Sequence, residues 1–338
     1  MMNGRQPTQV EVARMAGVSR QTVSLVSRND PRVSPASRAA VEAAMKTLGY
    51  RPNVAARALA ARRTGFIGIA ISGLVNPFNG ELLEMIRRHC EAEGLLPFIV
   101  PVDQDPADER LVIDRFLQMN VDALILVSPQ LGGEELERVG RRVPTVVVTR
   151  NAGPGSVDLV HTDDALGARL VTERLLEEGY RPLICLGVEG PVSGDSAGDR
   201  VRGYRQVCEG AGIEPRVEMV RLDDLGPVIA RIVKQYGRGF GLCCHNDLIA
   251  LAAVGQLAAQ HLRPGRDVGV TGFDNTVVSG LPGVSLTTVD PSTSTMAGRV
   301  VALVVERLAG RTDPVDVVLP PQLVVRTSTC GRGDGTNP

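Results

Sequence analysis

From Phe66 onward the chain repeats one pattern, a short apolar run of strand length followed by an amphipathic stretch of helical length. The runs lie at 66–71 (FIGIAI), 95–100 (LLPFIV), 123–127 (ALILV) and 145–149 (TVVVT), then at 183–187 (LICLG), 240–244 (FGLCC) and 268–273 (VGVTGF). Helical stretches fall near 79–93, 106–118, 163–178, 200–211, 225–236 and 246–262. Continuous apolar strands alternating with helices predict parallel sheets, because a parallel crossover lays a helix over each face. Two series of runs predict two doubly wound lobes, divided near residue 160. A last helix, about 291–309, and a strand, about 323–326, are expected to cross back between them.

Residues 1–64 do not follow this pattern, and their charge differs too. They hold eleven Lys and Arg against three acids, a net of +8, whereas the remainder holds 26 against 35, a net of −9. The formal total of −1 hides a basic head on an acidic body, the distribution of a polyanion-binding module joined to something else. With 43% hydrophobic residues in 338, there is material for two or three cores and none of the signature of general disorder. The sequence has no apolar run long enough to span a bilayer, and MMNGRQPTQVEVARMAGVSR has no apolar secretory core, so a soluble cytoplasmic protein is expected. Six cysteines without C-x-x-C spacing, and only four histidines, predict reduced thiols and no zinc site.

Within the head, Thr8-Gln9-Val10-Glu11 has the form of a capping box opening a helix to about Met15. Ala16-Gly17-Val18 interrupts it, and Ser19 is placed to cap a second helix from Arg20 to about Ser27. Two helices joined by a three-residue turn containing glycine form a helix-turn-helix. Ala13 is small where the helices approach, and Val10, Val18, Val23 and Val26 are expected to form the apolar seam. Ser34-Pro35 opens a third helix, with Val41, Ala44, Met45 and Leu48 inward and Gly49 as its stop. Helical hairpins that never touch DNA share this pattern. Here the second helix opens Arg20-Gln21-Thr22, side chains that read guanine and adenine edges in the major groove. Thr8, Ser19, Thr22, Ser24, Ser34 and Ser37 sit near helix starts, where hydroxyls and backbone N–H groups hold phosphates.

VEVARMAGVSRQTVS followed by RVSPASRAAVEAAMKTLGYRPNVAARALA resembles the head and hinge of the LacI/GalR family of bacterial transcription regulators, continuously over about sixty residues. The resemblance implies base readout from Arg20, Gln21 and the position of Leu25, with Arg28 among the backbone contacts. It also implies a hinge, Asn53 to about Ala61, that becomes helical on operator DNA. Leu59 stands at the family's position for a wedge into the minor groove, trading unstacking for a bent site. Relatives commonly carry arginine where this chain has Leu25, and asparagine where it has Arg28. Leucine can only pack on a thymine methyl, so the operator is expected to differ from the family's usual half-site at that base pair.

The lobe pair is similar to the periplasmic sugar-binding fold that this family uses as its effector domain. Ligands of such sheets sit beyond the carboxyl ends of the strands, here between the lobes. Asn76-Pro77-Phe78-Asn79, Asn246-Asp247 and Asp274-Asn275 all follow apolar runs. By resemblance Phe78, Asn79, Arg200, Asn246 and Asp274 form the effector set, with Arg150 and Asp290 as further candidates. Thr149-Arg150 stands where many relatives have Asp-Arg, which separates this pocket from close analogy. An arginine and an aspartate fixing hydroxyls is chemistry suited to a polyol. Each residue also has a plain reading: Asn246 as a helix cap, Arg200 as an ion pair, Phe78 as lobe core.

Other chemistries lack their parts. His161-x-Asp163 and His245-x-Asp247 have no further triad or metal partners and read as loop or cleft-wall residues. The glycine-rich 187–198 stretch has no Gly-Lys-Ser/Thr, 237–241 precedes a strand instead of following one, and Arg332-Gly333-Asp334 lies in a tail. No enzyme and no cofactor are therefore expected. The expected layout is a helix-turn-helix head at 1–51, a hinge at 52–63, a two-lobed effector-binding and dimerisation core at 64–330 and a tail at 331–338. The expected function is an effector-responsive repressor of carbohydrate-related genes. It would bind a pseudo-palindromic operator as a homodimer, a dimer being favoured over a tetramer by the ending TSTCGRGDGTNP. The alternative is a cytoplasmic sugar-binding receptor without DNA regulation.

Overall fold

The computed structural model describes residues 7–27, 30–51, 63–103, 105–188 and 196–330. Contacts divide the chain into one unit up to Gly65 and a second from Phe66.

Among the described residues, the first unit holds three helices, α1 (Gln9–Ala16), α2 (Arg20–Ser27) and α3 (Pro35–Leu48). A reciprocal cap starts α1: the Thr8 hydroxyl accepts the Glu11 N–H at 3.4 Å, and the Glu11 carboxylate accepts the Thr8 N–H at 2.6 Å. Gly17 ends it with φ at 67°, a left-handed conformation that costs glycine nothing. Ser19 then accepts the Thr22 N–H at 3.1 Å and Ser34 the Ser37 N–H at 3.2 Å. Val12, Ala13, Val23, Val26, Val41 and Ala44 form the buried core, with Val18, Met45, Leu48 and Tyr50 packed at its edge. Val10 is not in this seam. It is 60% exposed, because the register set by the Thr8 cap turns Val12 and Ala13 inward, and Val10 lies two residues off that face.

In the second unit the strands are β1 (Phe66–Ser72), β2 (Leu96–Val102), β3 (Ala123–Val127), β4 (Thr145–Val148), β5 (Asp158–Thr162), β6 (Leu183–Gly187), β7 (Val217–Met219), β8 (Gly241–Cys244), β9 (Gly269–Thr271), β10 (Thr288–Asp290), β11 (Asp316–Leu319) and β12 (Gln322–Val324). The helices are α4 (Pro77–Ala92), α5 (Pro106–Gln118), α6 (Gly133–Gly140), α7 (Asp164–Glu177), α8 (Ser196–Gly210), α9 (Leu225–Tyr236), α10 (Asp247–Ala259) and α11 (Thr293–Leu308). One parallel sheet runs β11-β5-β4-β3-β1-β2 and a second runs β7-β6-β8-β9. An antiparallel ribbon, β10-β12, lies outside both.

Each sheet is covered on both faces, as the continuous apolar strands require. In the first lobe Ile67, Ile69 and Ile71 pack with Leu82 and Ile86 of α4 and Val300 and Val304 of α11. On the opposite face Leu124 and Leu126 meet Ile113 and Phe116 of α5 and Leu136 of α6. In the second lobe Leu186 and Leu242 meet Ile229 of α9 and Leu257 of α10, while Leu183 and Cys185 meet Leu175 of α7 and Tyr204 of α8. The chain crosses between lobes three times, after β5, after β10 and after β11. The crossings are tied together by Thr162 Oγ1 to the Pro291 carbonyl at 2.9 Å, Ser292 Oγ to the Pro320 carbonyl at 2.8 Å, and Asp163 N to the Leu319 carbonyl at 3.0 Å. The late helix does return to the first lobe and the late strand to the second. The sequence reading omitted β5, β7, β10, β11 and α6. His161 is on strand β5, not in a loop: it is buried, with Nε2 3.0 Å from Asp316 Oδ1 of β11.

Candidate functional site

Two regions carry the candidate residues. In the head, Arg20 and Gln21 are exposed in the first turn of α2, with Arg20 Nε donating to Gln9 Oε1 at 3.4 Å. Thr22, Ser24 and Leu25 of the same helix are half-buried. Thr8, Ser19 and Ser34 each cap one of the three helices, and Ser37 is capped by Ser34. Helix N-termini carry unsatisfied N–H groups and the positive end of the dipole, so these positions suit phosphate contact. Arg28, Leu59 and residues 52–62 of the hinge lie outside the described residues.

In the second unit, strand order reverses between β1 and β3 in one sheet and between β6 and β8 in the other. A crevice opens at the carboxyl ends of strands at such a switch point. Several residues there hold φ angles that side chains rarely adopt: Ser128 after β3 (52°), Thr149 after β4 (67°), Asp274 (109°) and Asn275 (49°) after β9. Strain of this kind, of order ~1–3 kcal/mol per residue, persists only where the surroundings enforce it, and it gathers at ligand sites.

Arg200, projecting from α8, is the centre of this region. Its Nε donates to Asp164 Oδ1 at 2.8 Å, its Nη1 to the His245 carbonyl at 2.7 Å, and its Nη2 lies 3.7 Å from Asp274 Oδ1. The guanidinium also stacks over Phe273, 3.6 Å from the ring centroid. Burial pushes the Asp274 carboxyl up to about 7, with the Arg200 charge and the Asn76 hydrogen bond pulling the other way. Burial likewise raises the Asp164 carboxyl, opposed by Arg200. Burial and the Arg200 charge together hold the His245 imidazole well below its usual range, so it is neutral.

Among the described residues, three hydrogen bonds span the cleft. Asn76 Nδ2 donates to Asp274 Oδ2 at 2.9 Å, the Val277 N–H donates to Glu81 Oε1 at 2.9 Å, and Asn151 donates to Asp199. Asp290 accepts from Asn275 Nδ2 at 3.1 Å and from the Ser292 N–H at 2.7 Å. Behind Asp274, buried Asp247 accepts from Thr276 N, Thr276 Oγ1 and Thr288 Oγ1 at 2.8, 3.0 and 2.5 Å.

Of the residues singled out from sequence, Arg200 and Asp274 come together, and Asp290 joins them through Asn275. Asn246 caps α10, its Oδ1 accepting the Ile249 N–H at 2.9 Å. Phe78 is only 7% exposed and packs in the lobe core with β1, because it stands one turn before Leu82 and two before Ile86 on the buried face of α4. The ring at Arg200 is Phe273. Asn79 gives both amide hydrogens to the Ser72 and Gly73 carbonyls, at 2.9 and 2.8 Å, and so holds the end of β1. Arg150 is buried behind the loop after β3, donating to the Leu131 carbonyl at 2.7 Å. Glu109 fixes the same loop through the Gln130 and Leu131 N–H groups, at 2.7 and 3.2 Å.

Sequence reasoning missed Asp164, read His245 only as a loop or cleft-wall residue, and named Asn76 and Asn275 after their strands without carrying either into the effector set. Asp164 follows Asp163, whose side chain caps α7, so the pair reads as ordinary first-turn acid. Only the fold brings it to Arg200. Asn76 was recoverable from Asn-Pro, the form of a helix cap followed by proline, which is what it does here through the Phe78 N–H.

Residues 8–53 match the model of the bacterial regulatory proteins, lacI family, and residues 172–329 match a periplasmic binding protein-like domain. The chain is 30% identical to the HTH-type transcriptional regulator GalR of Escherichia coli (strain K12) over 326 residues, covering 94% of each chain. The fold superimposes on the lac repressor dimer bound to operator and the anti-inducer ONPF with a TM-score of 0.82 at 24% identity, covering 97% of this chain and 100% of that one. A complex of the transcriptional regulator CelR with cellobiose gives a TM-score of 0.68 at 28% identity, covering 95% and 99%. No described helix is long and apolar enough to cross a membrane. A helix-turn-helix head, two periplasmic-binding-like lobes and this identity across nearly the whole chain make it a member of the LacI family of bacterial transcriptional regulators.

Proposed function

We propose that the protein is a repressor that binds a pseudo-palindromic operator as a homodimer and releases or tightens its hold when a sugar-like ligand enters the cleft. The proposed layout is a DNA-binding head at 1–51, a hinge at 52–63, a ligand-binding and dimerisation core at 64–330 and a tail at 331–338. Arg20, Gln21 and Leu25 face base edges. Thr8, Ser19, Thr22, Ser24, Arg28, Ser34 and Ser37 hold phosphates, and Leu59 enters the minor groove. Arg200, Asp274, Asp290 and Asn246 meet the ligand, while Phe78, Asn79 and Arg150 support the walls. The site of action is the cytoplasm, where the DNA is, and catalysis has no part in it.

The observation that carries this reading is the cross-lobe Asn76–Asp274 bond beside the Arg200 cluster, at the switch points of both sheets. A ligand hydroxyl inserted there bonds both lobes at once, so ligand affinity depends on the lobe arrangement. A population shift of this kind couples the cleft to DNA by no more than the ligand's differential affinity, typically ~1–3 kcal/mol. The CelR–cellobiose and lac repressor–operator complexes are similar chains in which a sugar and an operator are the bound partners. The test is a gel-shift titration of the full chain against DNA upstream of its own gene, across a panel of sugars. One compound that changes the shift supports the reading and its direction distinguishes induction from co-repression. Failure to shift any fragment, together with failure to select an operator from random DNA, overturns it.

A further inference from the structure

The reading of the cleft as a sugar site leaves the charge of the ligand open, since sugars, sugar acids and sugar phosphates all carry hydroxyls. Arg200 would be the natural receptor for an acid or a phosphate. The structure shows that its charge is already matched. Asp164 lies 2.8 Å from Nε and Asp274 3.7 Å from Nη2, with side chains 7% and 3% exposed. One face of the guanidinium is covered by Phe273, and an Nη1 hydrogen is held by the His245 carbonyl. Two of the five guanidinium hydrogens are taken by Asp164 and His245, which leaves donors for neutral hydroxyls but no uncompensated charge for an anion.

Among the described residues, the surrounding groups do not supply another cation. Arg326 reaches the cluster only through Asn275 Oδ1, at 2.7 Å, and the amide nitrogen of that same Asn275 is on Asp290. Arg202 is paired with Asp199. Arg150 is buried beside Glu109. His245 is neutral. A ligand anion placed against Arg200 would therefore sit among Asp164, Asp274 and Asp290, and burying an uncompensated charge is far costlier than burying a hydrogen-bonded hydroxyl.

We infer that the cleft takes an uncharged polyhydroxy ligand, and that Asp164 is the positioning residue that sets this charge preference by pairing with Arg200. This deepens the proposed function and rests on it. Asp164 does not touch the ligand; it fixes the guanidinium plane against Phe273 and cancels its charge. Asp274, which accepts from Asn76 and faces the same guanidinium, is the group that receives or donates a hydrogen bond with a sugar hydroxyl.

The test uses the full-length protein and matched pairs of probes in calorimetric titrations: glucose with its phosphate ester, glucose with gluconate, galactose with galacturonate, and ribose with its phosphate ester. Wild type is expected to bind an uncharged member, with the charged counterpart weaker by about tenfold or more. In Asp164→Asn, which keeps the helix start but removes the charge, the gap is expected to close to about threefold or less, mainly by a gain in anion affinity. Asp164→Ser is the second variant should the first not fold. A merely structural role for Asp164 would weaken both members of a pair alike. The inference is overturned if the charged member binds wild type as tightly as the uncharged one, or if folded Asp164 variants keep the wild-type gap. If no member of any pair binds wild type, the sugar reading of the cleft falls, and this inference with it.

Discussion

Asn76 and Asp274 stand 198 residues apart in the chain, yet the amide nitrogen of one donates to the carboxylate of the other at 2.9 Å and joins the two lobes. The same asparagine caps α4 through its oxygen, which accepts the Phe78 N–H at 3.3 Å. One side chain thus holds a helix start in one lobe and a carboxylate in the other. Asn76→Ala removes both and is expected to cost about 1–3 kcal/mol in chemical denaturation. Asn76→Ser restores the cap but not the reach, so about 1 kcal/mol should return. A Ser variant as stable as wild type would mean that the cross-lobe bond contributes nothing, and equal losses in the two variants would mean the same of the cap.

Asp274 gives the cleft a pH dependence of definite sign. Burial lifts its carboxyl to about 7, against about 3.9 in an unfolded chain. The folded state therefore holds that proton more tightly. Its contribution to stability is complete below about pH 4, is lost as pH rises towards 7, and is flat above that. The loss has a ceiling on the order of 4 kcal/mol. Asp274→Asn is expected to abolish it, giving a variant more stable than wild type near pH 8 and no better near pH 4, while its response to ligand disappears. Urea titrations at the two pH values check this. A variant that gains nothing at the higher pH would show that the Asp274 charge is better solvated than its burial implies.

How much of this was legible in advance depended on whether a residue's partner was local. β1, β3, β6 and β8 were readable because both faces are buried and the runs are apolar throughout. β5 was not, because its Asp158 and His161 are buried only by virtue of Arg307, Arg311 and Asp316, about 150 residues away in the chain. α6 was missed because it is only eight residues long, begins and ends on glycine, and buries a single residue, Leu136. The caps of the head, Thr8, Ser19 and Ser34, act within three residues and were read correctly, yet Val10 was assigned to the wrong face of a helix whose start was known. In the cleft, Arg200 and Asp274 came from family resemblance. Asp164 lay hidden behind a cap, since no local pattern tells a helix-start acid from one that pairs with an arginine on α8.

Asp158 is the anchor of the returning segment. It is fully buried, accepts from both Arg307 and Arg311 in two-pronged pairs at 2.7–3.0 Å, and takes the Val315 N–H at 2.8 Å. Burial alone would raise its carboxyl, but the two guanidiniums and the N–H outweigh it and hold the value below the ordinary range. The stabilisation is present above about pH 4 and is lost as pH falls through the lowered folded value. Asp158→Ala is expected to destabilise by about 3–5 kcal/mol, because two guanidiniums lose their counter-charge. Thermal unfolding near pH 7 measures it, and a loss below 1 kcal/mol would contradict the anchor role.

Gly203 is needed where α8 crosses α7. A Cβ built there would lie 2.2 Å from the Ala165 carbonyl oxygen, a backbone atom that cannot swing aside. Gly203→Ala should therefore push the helices apart at a cost of about 1–3 kcal/mol. Because Arg200 sits one turn earlier on α8, the same shift should weaken its pairing with Asp164. The variant is expected to lose ligand affinity in calorimetry even where it stays folded. Full affinity with reduced stability would show that α8 yields elsewhere.

The head offers the most direct check on specificity. Arg20 and Gln21 are exposed at the start of α2, while Leu25, one turn on, is half-buried and has no hydrogen-bonding group for a base edge. Arg20→Ala is expected to cost about 1–3 kcal/mol of operator affinity and to relax selection at one base pair. Leu25→Arg adds a fork able to grip guanine N7 and O6, so it should create a new guanine preference without loss elsewhere in the half-site. Selection of operators from random DNA with each variant reads both effects. A wild-type operator with an invariant guanine that depends on residue 25 would contradict the assignment, because a leucine offers that base only surface. Unchanged selection with Leu25→Arg would instead mean that α2 enters the groove at a different angle, with residue 25 turned away from the bases.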